Sequence, residues 1–405
     1  MKRIYFFLVL VMFLTIYPGI SQQPCNTRHT IKELDDGRYF CFKLKPQPSD
    51  IRHGIAAKQE DKYFGWPANN GIWQWGDEIL VGFTRGEYER RPGHSIGGIQ
   101  ESLFSRSSDG GETWEIYKPD NFMDGENERW VPSEKKYLEK PIDFSHNGFA
   151  MRVFATGYHG NNDPQGGFYY SYDRGLTWQG PYYLGNINDH DELRGKSITA
   201  RTDYIVTGEK ELYLFISTSP PNQLSRIACI KTEDGGMSFE FVSWITPPDS
   251  DFSAIQSSTV RISENTFVLA HRAVYRDDRG LVRDENKNKI EVHISEDLGQ
   301  TWRSLGDIKH FERRSNAPAL VHLKDGRLVC IYGDRPNWVM AGRLSEDGGK
   351  SWGDEFFIDE TFVRMHTDFG YPRLVQRSDG KLVALYYWAT VENLQQHISV
   401  SIWTP

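Results

Sequence analysis

Apolar and polar residues alternate in short runs along most of this chain, which is the pattern of β-strands buried on one face. One example runs from Ala319 to Leu323 and a second from Leu328 to Tyr332, with Asp325-Gly326 between them. An Asp-Gly pair between two such runs predicts a β-hairpin. No helical repeat or low-complexity segment interrupts the pattern. The sequence therefore predicts an all-β protein.

A short phrase, Ser/Thr-x-Asp-x-Gly-x-Thr/Ser-Trp/Phe, recurs five times after such runs. Successive copies begin at spacings of 64, 61, 63 and 50 residues. Self-similarity at a long period indicates supersecondary units that pack on one another. The five copies are Ser107–Trp114, Ser171–Trp178, Thr232–Phe239, Ser295–Trp302 and Ser345–Trp352.

Each copy sits among runs for four antiparallel strands, and radial repetition of such a unit is a propeller blade. We therefore expect a single β-propeller. The strand-like runs Tyr371–Val375, Leu382–Tyr387 and Gln396–Ile402 lack the phrase and are expected to close the ring with N-terminal strands. The prediction is seven blades if residues 26–60 form a blade of their own, with six blades as the alternative.

The N-terminus has the pattern of a secretory signal peptide: Met1-Lys2-Arg3, then the apolar run Ile4–Tyr17. We expect a signal peptide over residues 1–21 and a catalytic propeller over residues 22–405. The protein would then be exported, periplasmic or secreted, without a membrane anchor. Cys25 and Cys41 are candidates for a disulfide, whereas Cys229 and Cys330 lie in strand-like runs and are expected to be buried thiols.

The formal net charge of -8 argues against nucleic acid as a partner. Aromatic residues make up 14% of the chain, which suits blade packing and the stacking of sugars. No pair of histidines has the spacing of a zinc site, so neither a metal nor another cofactor is expected. The expected partner is an oligo- or polysaccharide substrate that carries uronic acid, and the protein itself is expected to be a monomer.

Propeller geometry selects candidate site residues, because the starts of first strands and the ends of second strands open on one face. The residues placed there are rich in Arg, His and Tyr, and only Asp334 and Asp368 supply carboxylates. Guanidinium groups match carboxylates in a bidentate fork, so the ligand is expected to be anionic. The candidates for substrate binding at this face are Asn69, Asn70, Arg85, Arg201, Arg272, Arg335, Tyr371 and Arg373.

Imidazole and phenol groups at this face are candidates for acid–base work. The catalytic candidates are His94, His146, Tyr158 and His159. His53 is a further candidate, and a purely structural role on a strand that closes the ring is the alternative. Which histidine is catalytic stays open.

The repeated phrase resembles the Asp-box, or BNR repeat, of the sialidase-like propellers. In that superfamily the box stabilises a blade turn, and a sialidase also carries a Phe/Tyr-Arg-Ile-Pro phrase before the first box. Here the nearest phrase is Tyr63-Phe64-Gly65-Trp66-Pro67, with Trp66 where a cation is expected. An exo-α-sialidase is therefore an alternative, not the first expectation.

The chain resembles more closely the propellers of glycoside hydrolase family 145 and polysaccharide lyase family 42, on the phrase Gly65–Trp73 and its His-, Tyr- and Arg-rich face. This phrase adds Trp66 to the candidates for substrate binding. That resemblance implies cleavage of the terminal α-L-rhamnosyl-1,4-glucuronic acid linkage of plant glycans such as arabinogalactan proteins. In a lyase, His94, His146, His159 or Tyr158 would be acid and base, with Arg201 or Arg272 on the uronate. In a hydrolase, His53 or His94 would act. A non-catalytic glycan-binding propeller is a further alternative.

Overall fold

The computed structural model describes residues 29–33, 39–43, 47–91, 93–120, 122, 134–156, 163–219, 224–275, 287–312, 314–363 and 368–405. The expected signal peptide, Cys25, Tyr158 and His159 lie outside the described residues. The chain divides into two compact units, Met1–Lys45 and Pro46–Pro405. The first contains a two-stranded antiparallel sheet, β1 (His29–Glu33) and β2 (Tyr39–Lys43).

The second unit consists of six antiparallel sheets in the described residues. The first sheet has an interrupted inner strand, because the one-turn helix α1 separates its two halves and both halves pair with the next strand. Its elements are β4 (Lys62–Gly65), α1 (Pro67–Asn70), β5 (Ile72–Trp75), β6 (Glu78–Tyr88), β7 (Ile96–Ser107) and β8 (Glu115–Tyr117).

The next three sheets follow in chain order. The second has three strands in the described residues, and the third and fourth have four each. Their strands are β9 (Ala150–Thr156), β10 (Asp163–Ser171) and β11 (Gln179–Tyr182); β12 (Ser197–Val206), β13 (Leu212–Ser219), β14 (Arg226–Thr232) and β15 (Glu240–Trp244); β16 (Ser253–Arg261), β17 (Phe267–Val274), β18 (Lys289–Ser295) and β19 (Arg303–His310).

The fifth and sixth sheets also have four strands each. The sixth takes its outermost strand, β3 (Arg52–Ala57), from the N-terminal end of the unit, so the expected closure of the ring is confirmed. The remaining strands are β20 (Pro318–His322), β21 (Leu328–Asp334), β22 (Val339–Ser345) and β23 (Phe356–Asp359); β24 (Gly370–Gln376), β25 (Leu382–Trp388) and β26 (His397–Trp403).

The architecture is a six-bladed β-propeller. The inner strands β12, β16, β20 and β24 contact one another in this order around the ring. The ring continues from β24 to the first sheet through α1 and β5, and from α1 to β9 and then to β12. The expectation of seven blades is wrong, and the six-bladed alternative holds. The physical reason is that, in the described part of residues 26–60, β1 pairs with β2 in a two-stranded sheet and β3 completes the sixth sheet, so these strands form no blade of their own.

The core lies between neighbouring blades. Each middle strand is therefore buried on both faces, as β25 is over its whole length. Cys229 and Cys330 are free and buried in such strands, as expected. No helix among the described residues is long and apolar enough to cross a membrane.

The repeated phrase forms the turn that follows the third strand of a blade. In the first copy, the Asp109 carboxylate accepts hydrogen bonds from the Thr113 amide at 2.9 Å and the Thr113 hydroxyl at 2.6 Å. Gly111, at φ +95°, donates its amide to the Ser107 hydroxyl at 2.7 Å. These contacts stabilise turns on one face of the ring. The inner strands β12, β16, β20 and β24 begin at the other face, which we call the entrance face.

Candidate functional site

Tyr371 is the centre of a polar cluster at the entrance face, where β24 begins. Its side chain is 92% buried, and its backbone has φ +48°, which is unusual for a residue other than glycine. Buried Asn316 holds this conformation: its Oδ1 atom accepts the Tyr371 amide at 2.9 Å, and its Nδ2 atom donates to the Phe369 carbonyl at 2.8 Å. Strained backbone of this kind is concentrated at functional sites.

Two guanidinium groups flank the Tyr371 side chain. The Nη1 atom of Arg272, near the end of β17, lies 3.5 Å from the Tyr371 hydroxyl oxygen. The Cζ atom of Arg335, just after β21, lies 5.6 Å from the centre of the Tyr371 ring. Arg335 is buried, and its Nε atom has no hydrogen-bond partner in the described part of the chain. The cluster therefore offers cationic donors to an anionic ligand.

These cations change the acidity of the phenol. Burial alone would raise the pKa of Tyr371, but the positive charges of Arg272, Arg335, His94 and Arg201 outweigh burial and lower that pKa to about 7. A substantial fraction of phenolate is therefore present at neutral pH. A depressed pKa turns a side chain into a base or nucleophile, and it distinguishes Tyr371 from its buried neighbours Tyr63 and Tyr387, whose pKa values are raised by burial.

Two arginines are held in place by polar neighbours. Arg272 donates from Nε to the Ser315 hydroxyl at 3.0 Å and from Nη1 to Oε1 of Gln256 at 3.2 Å. Arg335 donates from Nη2 to the Phe369 carbonyl and to the Tyr387 hydroxyl, both at 3.3 Å. These four acceptors are uncharged side-chain or backbone groups, and they orient the two guanidinium groups beside Tyr371.

His94 and Asp368 form a second functional pair at the cluster. The His94 Nδ1 atom lies 2.6 Å from Oδ1 of Asp368, which makes Nδ1 the protonated nitrogen. Burial would lower the pKa of His94, but the hydrogen bond and charge of Asp368 outweigh it and raise that pKa above its usual value. The His94 side chain is 41% exposed, and its Nε2 atom makes no hydrogen bond within the described ranges. Nε2 can therefore meet a ligand.

The Asp368 carboxylate is fully engaged by donors. It accepts the Tyr387 hydroxyl at 2.7 Å, the Tyr63 hydroxyl at 2.9 Å and the Ser95 amide at 3.3 Å, besides His94. Burial would raise the pKa of Asp368, but these bonds and the charges of His94 and Arg335 lower it. A carboxylate with so many donors stays ionised and orients the imidazole.

Trp66 forms one wall of the cluster. Its indole packs edge-on against His94, with ring centres 4.9 Å apart, and lies 5.4 Å from the ring of Tyr63. The residue has φ +59° and precedes α1, where the inner strand of the first sheet is interrupted. Asn70 anchors that helix, because its Nδ2 atom donates to the Trp66 carbonyl at 3.0 Å and its Oδ1 atom accepts from Arg152 at 2.9 Å.

The remaining candidates for substrate binding make different contacts. Arg201 acts on Tyr371 through its charge. Arg373 is buried and donates to the carbonyls of Ala68 and Thr202, both at 2.6 Å. Arg85 pairs with Glu101 on the first sheet. The side-chain oxygen of Asn69 is buried without a hydrogen bond among the described residues.

Two of the catalytic candidates lie away from Tyr371. His53 is on β3, the strand at the opposite edge of the sixth sheet from β24, and its Nδ1 atom lies 2.9 Å from the Ser401 hydroxyl. Three strand spacings separate the two edges, which is roughly 14 Å. His146 packs against Tyr172 of the second box, with ring centres 4.6 Å apart, on the face opposite the entrance. Tyr158 and His159 lie outside the described residues.

The candidate list omitted several residues that complete the cluster. Tyr63, Gln256 and Tyr387 are among them, and Asp368 appeared only as one of two isolated carboxylates. The other carboxylate, Asp334, pairs instead with Lys309 at 2.8 Å. Tyr387 lies at the end of a second strand, where propeller geometry places site residues, whereas no spacing relates Asp368 to His94. Among the described residues, Asp368 is the carboxylate of the Tyr371 cluster, and His94, Tyr387, Tyr63 and Ser95 all contact it.

Comparison with known proteins gives the family. Residues 134–384 match the family model described as a BNR repeat-like domain, which is more than half of the chain. The chain belongs to the BNR repeat-like domain family. No functionally curated protein matches this BNR repeat-like protein significantly in sequence.

Solved structures similar to this BNR repeat-like protein are also propellers. A protein of unknown function from Dyadobacter fermentans has a TM-score of 0.63 at 16% identity, over 87% of this chain and 99% of that one. A Hadza microbial sialidase has a TM-score of 0.58 at 16% identity, over 84% of this chain and 66% of its own. The GH93 α-L-arabinofuranosidase of Fusarium graminearum has a TM-score of 0.53 at 13% identity, over 89% and 96%. At these identities the likeness shows the fold.

Proposed function

We propose that this protein is an enzyme that cleaves a glycosidic bond next to a sugar carboxylate, with Tyr371 as the reacting group. The observation that carries the proposal is the Tyr371 phenol, which lies between two guanidinium groups and has a pKa lowered to about 7. A binding protein has no need of an acidified phenol. The similar structures that are described as sialidase and arabinofuranosidase support a carbohydrate substrate.

Each residue of the cluster has a role in this proposal. Arg272 and Arg335 bind the carboxylate of the sugar, which places the adjacent ring carbons against the Tyr371 hydroxyl. His94, protonated and oriented by Asp368, donates a proton from Nε2 to the oxygen of the leaving group. Trp66 offers an aromatic face to the sugar.

In one narrower form of the proposal, the enzyme cleaves the rhamnosyl-1,4-glucuronate linkage. In an elimination, the Tyr371 phenolate removes the C5 proton of the uronate, the C4–O bond breaks, and a C4–C5 double bond forms. His94 protonates the departing oxygen, so free rhamnose and an unsaturated uronate result. The two arginines favour this step because they neutralise the carboxylate, which makes the C5 proton more acidic. Substitution at the rhamnose anomeric carbon instead would give hydrolysis.

A second narrower form is hydrolysis of a terminal sialic acid. In that sugar the carboxylate is attached to the anomeric carbon itself, so binding by Arg272 and Arg335 brings the reacting carbon to Tyr371. Tyrosine is the nucleophile used by sialidases. Three arginines lower the pKa of Tyr371, and this convergence is the observation that favours a sialic acid. The N-terminal pattern of residues 1–21 supports an exported enzyme in either case.

The experiment is a product assay on both substrate classes. Purified protein is incubated with gum arabic and with a sialylated oligosaccharide, and released sugars are separated by chromatography while ultraviolet absorption of unsaturated uronate is followed. Rhamnose with rising absorption indicates the lyase, rhamnose without it the hydrolase, and free sialic acid the sialidase. Binding of acidic glycans without any product would contradict the proposal and leave a glycan-binding propeller.

A further inference from the structure

A second cluster of chemically active side chains lies in the fourth sheet. His271 on β17 is paired directly with Glu291 on β18, and His293 follows two residues later on the same strand. Residues two apart on a strand project to the same face, so the three side chains meet on one side of the sheet. Arg272, the next residue along β17, projects to the other side and belongs to the Tyr371 cluster.

The three side chains are close together, and several of their polar atoms have no hydrogen-bond partner among the described residues. The His271 Nε2 atom lies 3.8 Å from Oε2 of Glu291, and the His293 Nε2 atom lies 3.9 Å from Oε1. His271 is fully buried and His293 is 2% exposed. Both ring nitrogens of His271, Nδ1 of His293 and Oε2 of Glu291 make no hydrogen bond within the described residues. Buried polar groups without partners are costly, so something else is expected to satisfy them.

We propose that His271, Glu291 and His293 form a binding site for a divalent transition-metal ion of the Zn²⁺ type. Two imidazoles and one carboxylate are a ligand set that zinc uses with three protein ligands and one open position. One ligand atom from each residue can be chosen so that all lie within 4.8 Å of one another. In a tetrahedral site with bonds of about 2.0–2.1 Å, the ligand atoms lie roughly 3.4 Å from one another. The distances between the ligand atoms would therefore have to shorten by between a few tenths of an ångström and about 1.4 Å.

Neighbouring groups fit this assignment. The Ser304 hydroxyl donates to Oε1 of Glu291 at 2.8 Å, which is the kind of outer-shell bond that orients a metal ligand. The Lys289 ammonium lies 3.6 Å from Glu291, but it makes its shorter contact, 3.0 Å, with Asp307. Glu291, Asp307 and Lys289 together carry one net negative charge, which a divalent cation would offset.

The open coordination position has access to a cavity. Glu291 and His293 line a cavity of about 390 Å³ beside the outer strand of the third sheet. Its other lining residues include the aromatic side chains of Trp244, Phe252 and Trp302. A metal ion can therefore reach the ligands, and a water molecule or a small anion can complete its coordination.

The test is direct metal binding by the full chain, without any activity assay. Protein freed of metal with a chelator is titrated with Zn²⁺ by calorimetry, and a Co²⁺-loaded sample is examined for the visible absorption of tetrahedral cobalt. We expect one site in the wild type. Ser304→Ala should weaken binding by roughly 10–100-fold, as loss of an outer-shell partner does, and His293→Ala should weaken it further. His322→Ala, on β20 away from the cluster, is the matched control and should bind as the wild type does.

The wild-type measurement decides the proposal even if a variant fails to fold, which circular dichroism would reveal. Absence of stoichiometric Zn²⁺ binding to folded wild-type protein would overturn it. Equal binding by folded wild type and a folded His271→Ala/His293→Ala double variant would also overturn it, because the ion would then be held elsewhere.

Discussion

The His94 imidazole and the Asp368 carboxylate are joined by a 2.6 Å hydrogen bond across 274 residues of chain. His94 comes from the long connection between β6 and β7, and Asp368 from the segment before β24, so the contact links the first blade to the sixth. In the proposed mechanism this bond keeps the imidazole protonated and leaves its other nitrogen open to the leaving group.

Asp368→Asn is expected to lower the pKa of His94, because the carboxylate is what raises it. The protonated imidazole is the proposed acid, and it is lost as pH rises through that pKa. The alkaline limb of the pH–rate profile should therefore move to lower pH in the variant. Asp334→Asn, a buried carboxylate that pairs with Lys309, is the control and should leave the limb in place. An unmoved limb in Asp368→Asn would exclude His94 as the acid.

Gln256→Glu is expected to raise the pKa of Tyr371 above about 7. Gln256 accepts a hydrogen bond from Arg272, and a carboxylate at this position would cancel part of the guanidinium charge that acidifies the phenol. The acid limb of the pH–rate profile should move to higher pH, since less phenolate is present at a given pH. Gln376→Glu adds the same charge at the far end of β24 and serves as the control. The same shift in both variants would mean a general charge effect.

Arg335→Gln is expected to raise KM for the acidic substrate roughly ten- to hundredfold. A hydrogen bond to a charged group contributes about 1.5–3 kcal/mol, and each 1.4 kcal/mol is a factor of ten. Arg343→Gln, on β22 of the same blade, removes a guanidinium that donates to the Gly353 carbonyl and should leave KM unchanged. Steady-state kinetics that give both variants the same KM would contradict the role of Arg335.

The boxes should make the propeller sensitive to acid. Hydrogen bonds within the turn lower the pKa of Asp347 to about 2. The ionised Asp347 carboxylate therefore stabilises the folded protein fully above the ordinary aspartate pKa of about 4, and this stabilisation is lost as pH falls towards about 2. The melting temperature of Asp347→Asn should fall less than that of the wild type over this interval. Asp354→Asn, exposed on the same blade, should follow the wild type, and parallel curves for all three proteins would refute the link.

Part of this arrangement could be predicted from the sequence. The boxes predicted the propeller. The positions of strand ends selected Arg272, Arg335 and Tyr371, the long loop after Arg85 added His94, and the phrase Gly65–Trp73 supplied Trp66. The fold brings these residues together. The blade count was wrong because alternation over residues 26–60 predicts strands but not their pairing partners, and β1 and β2 pair with each other.

The partners that tune the site could not be predicted in the same way. Asp368 contacts His94, and Gln256 contacts Arg272. Both contacts join segments that are distant in the sequence, so no spacing of residues along the chain predicts them. The cluster of His271, Glu291 and His293 depends on the register of β17 against β18, which the structure gives and the sequence pattern does not.

The most direct test of the central claim compares Tyr371→Phe with Tyr386→Phe on the glycan that the wild type cleaves. Tyr386 is a buried tyrosine of the same blade whose hydroxyl bonds to Asp359 and Ser401, outside the cluster. Tyr371→Phe should lose at least roughly 10²-fold in kcat, because the reacting oxygen is gone, while Tyr386→Phe should keep the wild-type kcat. Wild-type kcat in a folded Tyr371→Phe variant would contradict the account.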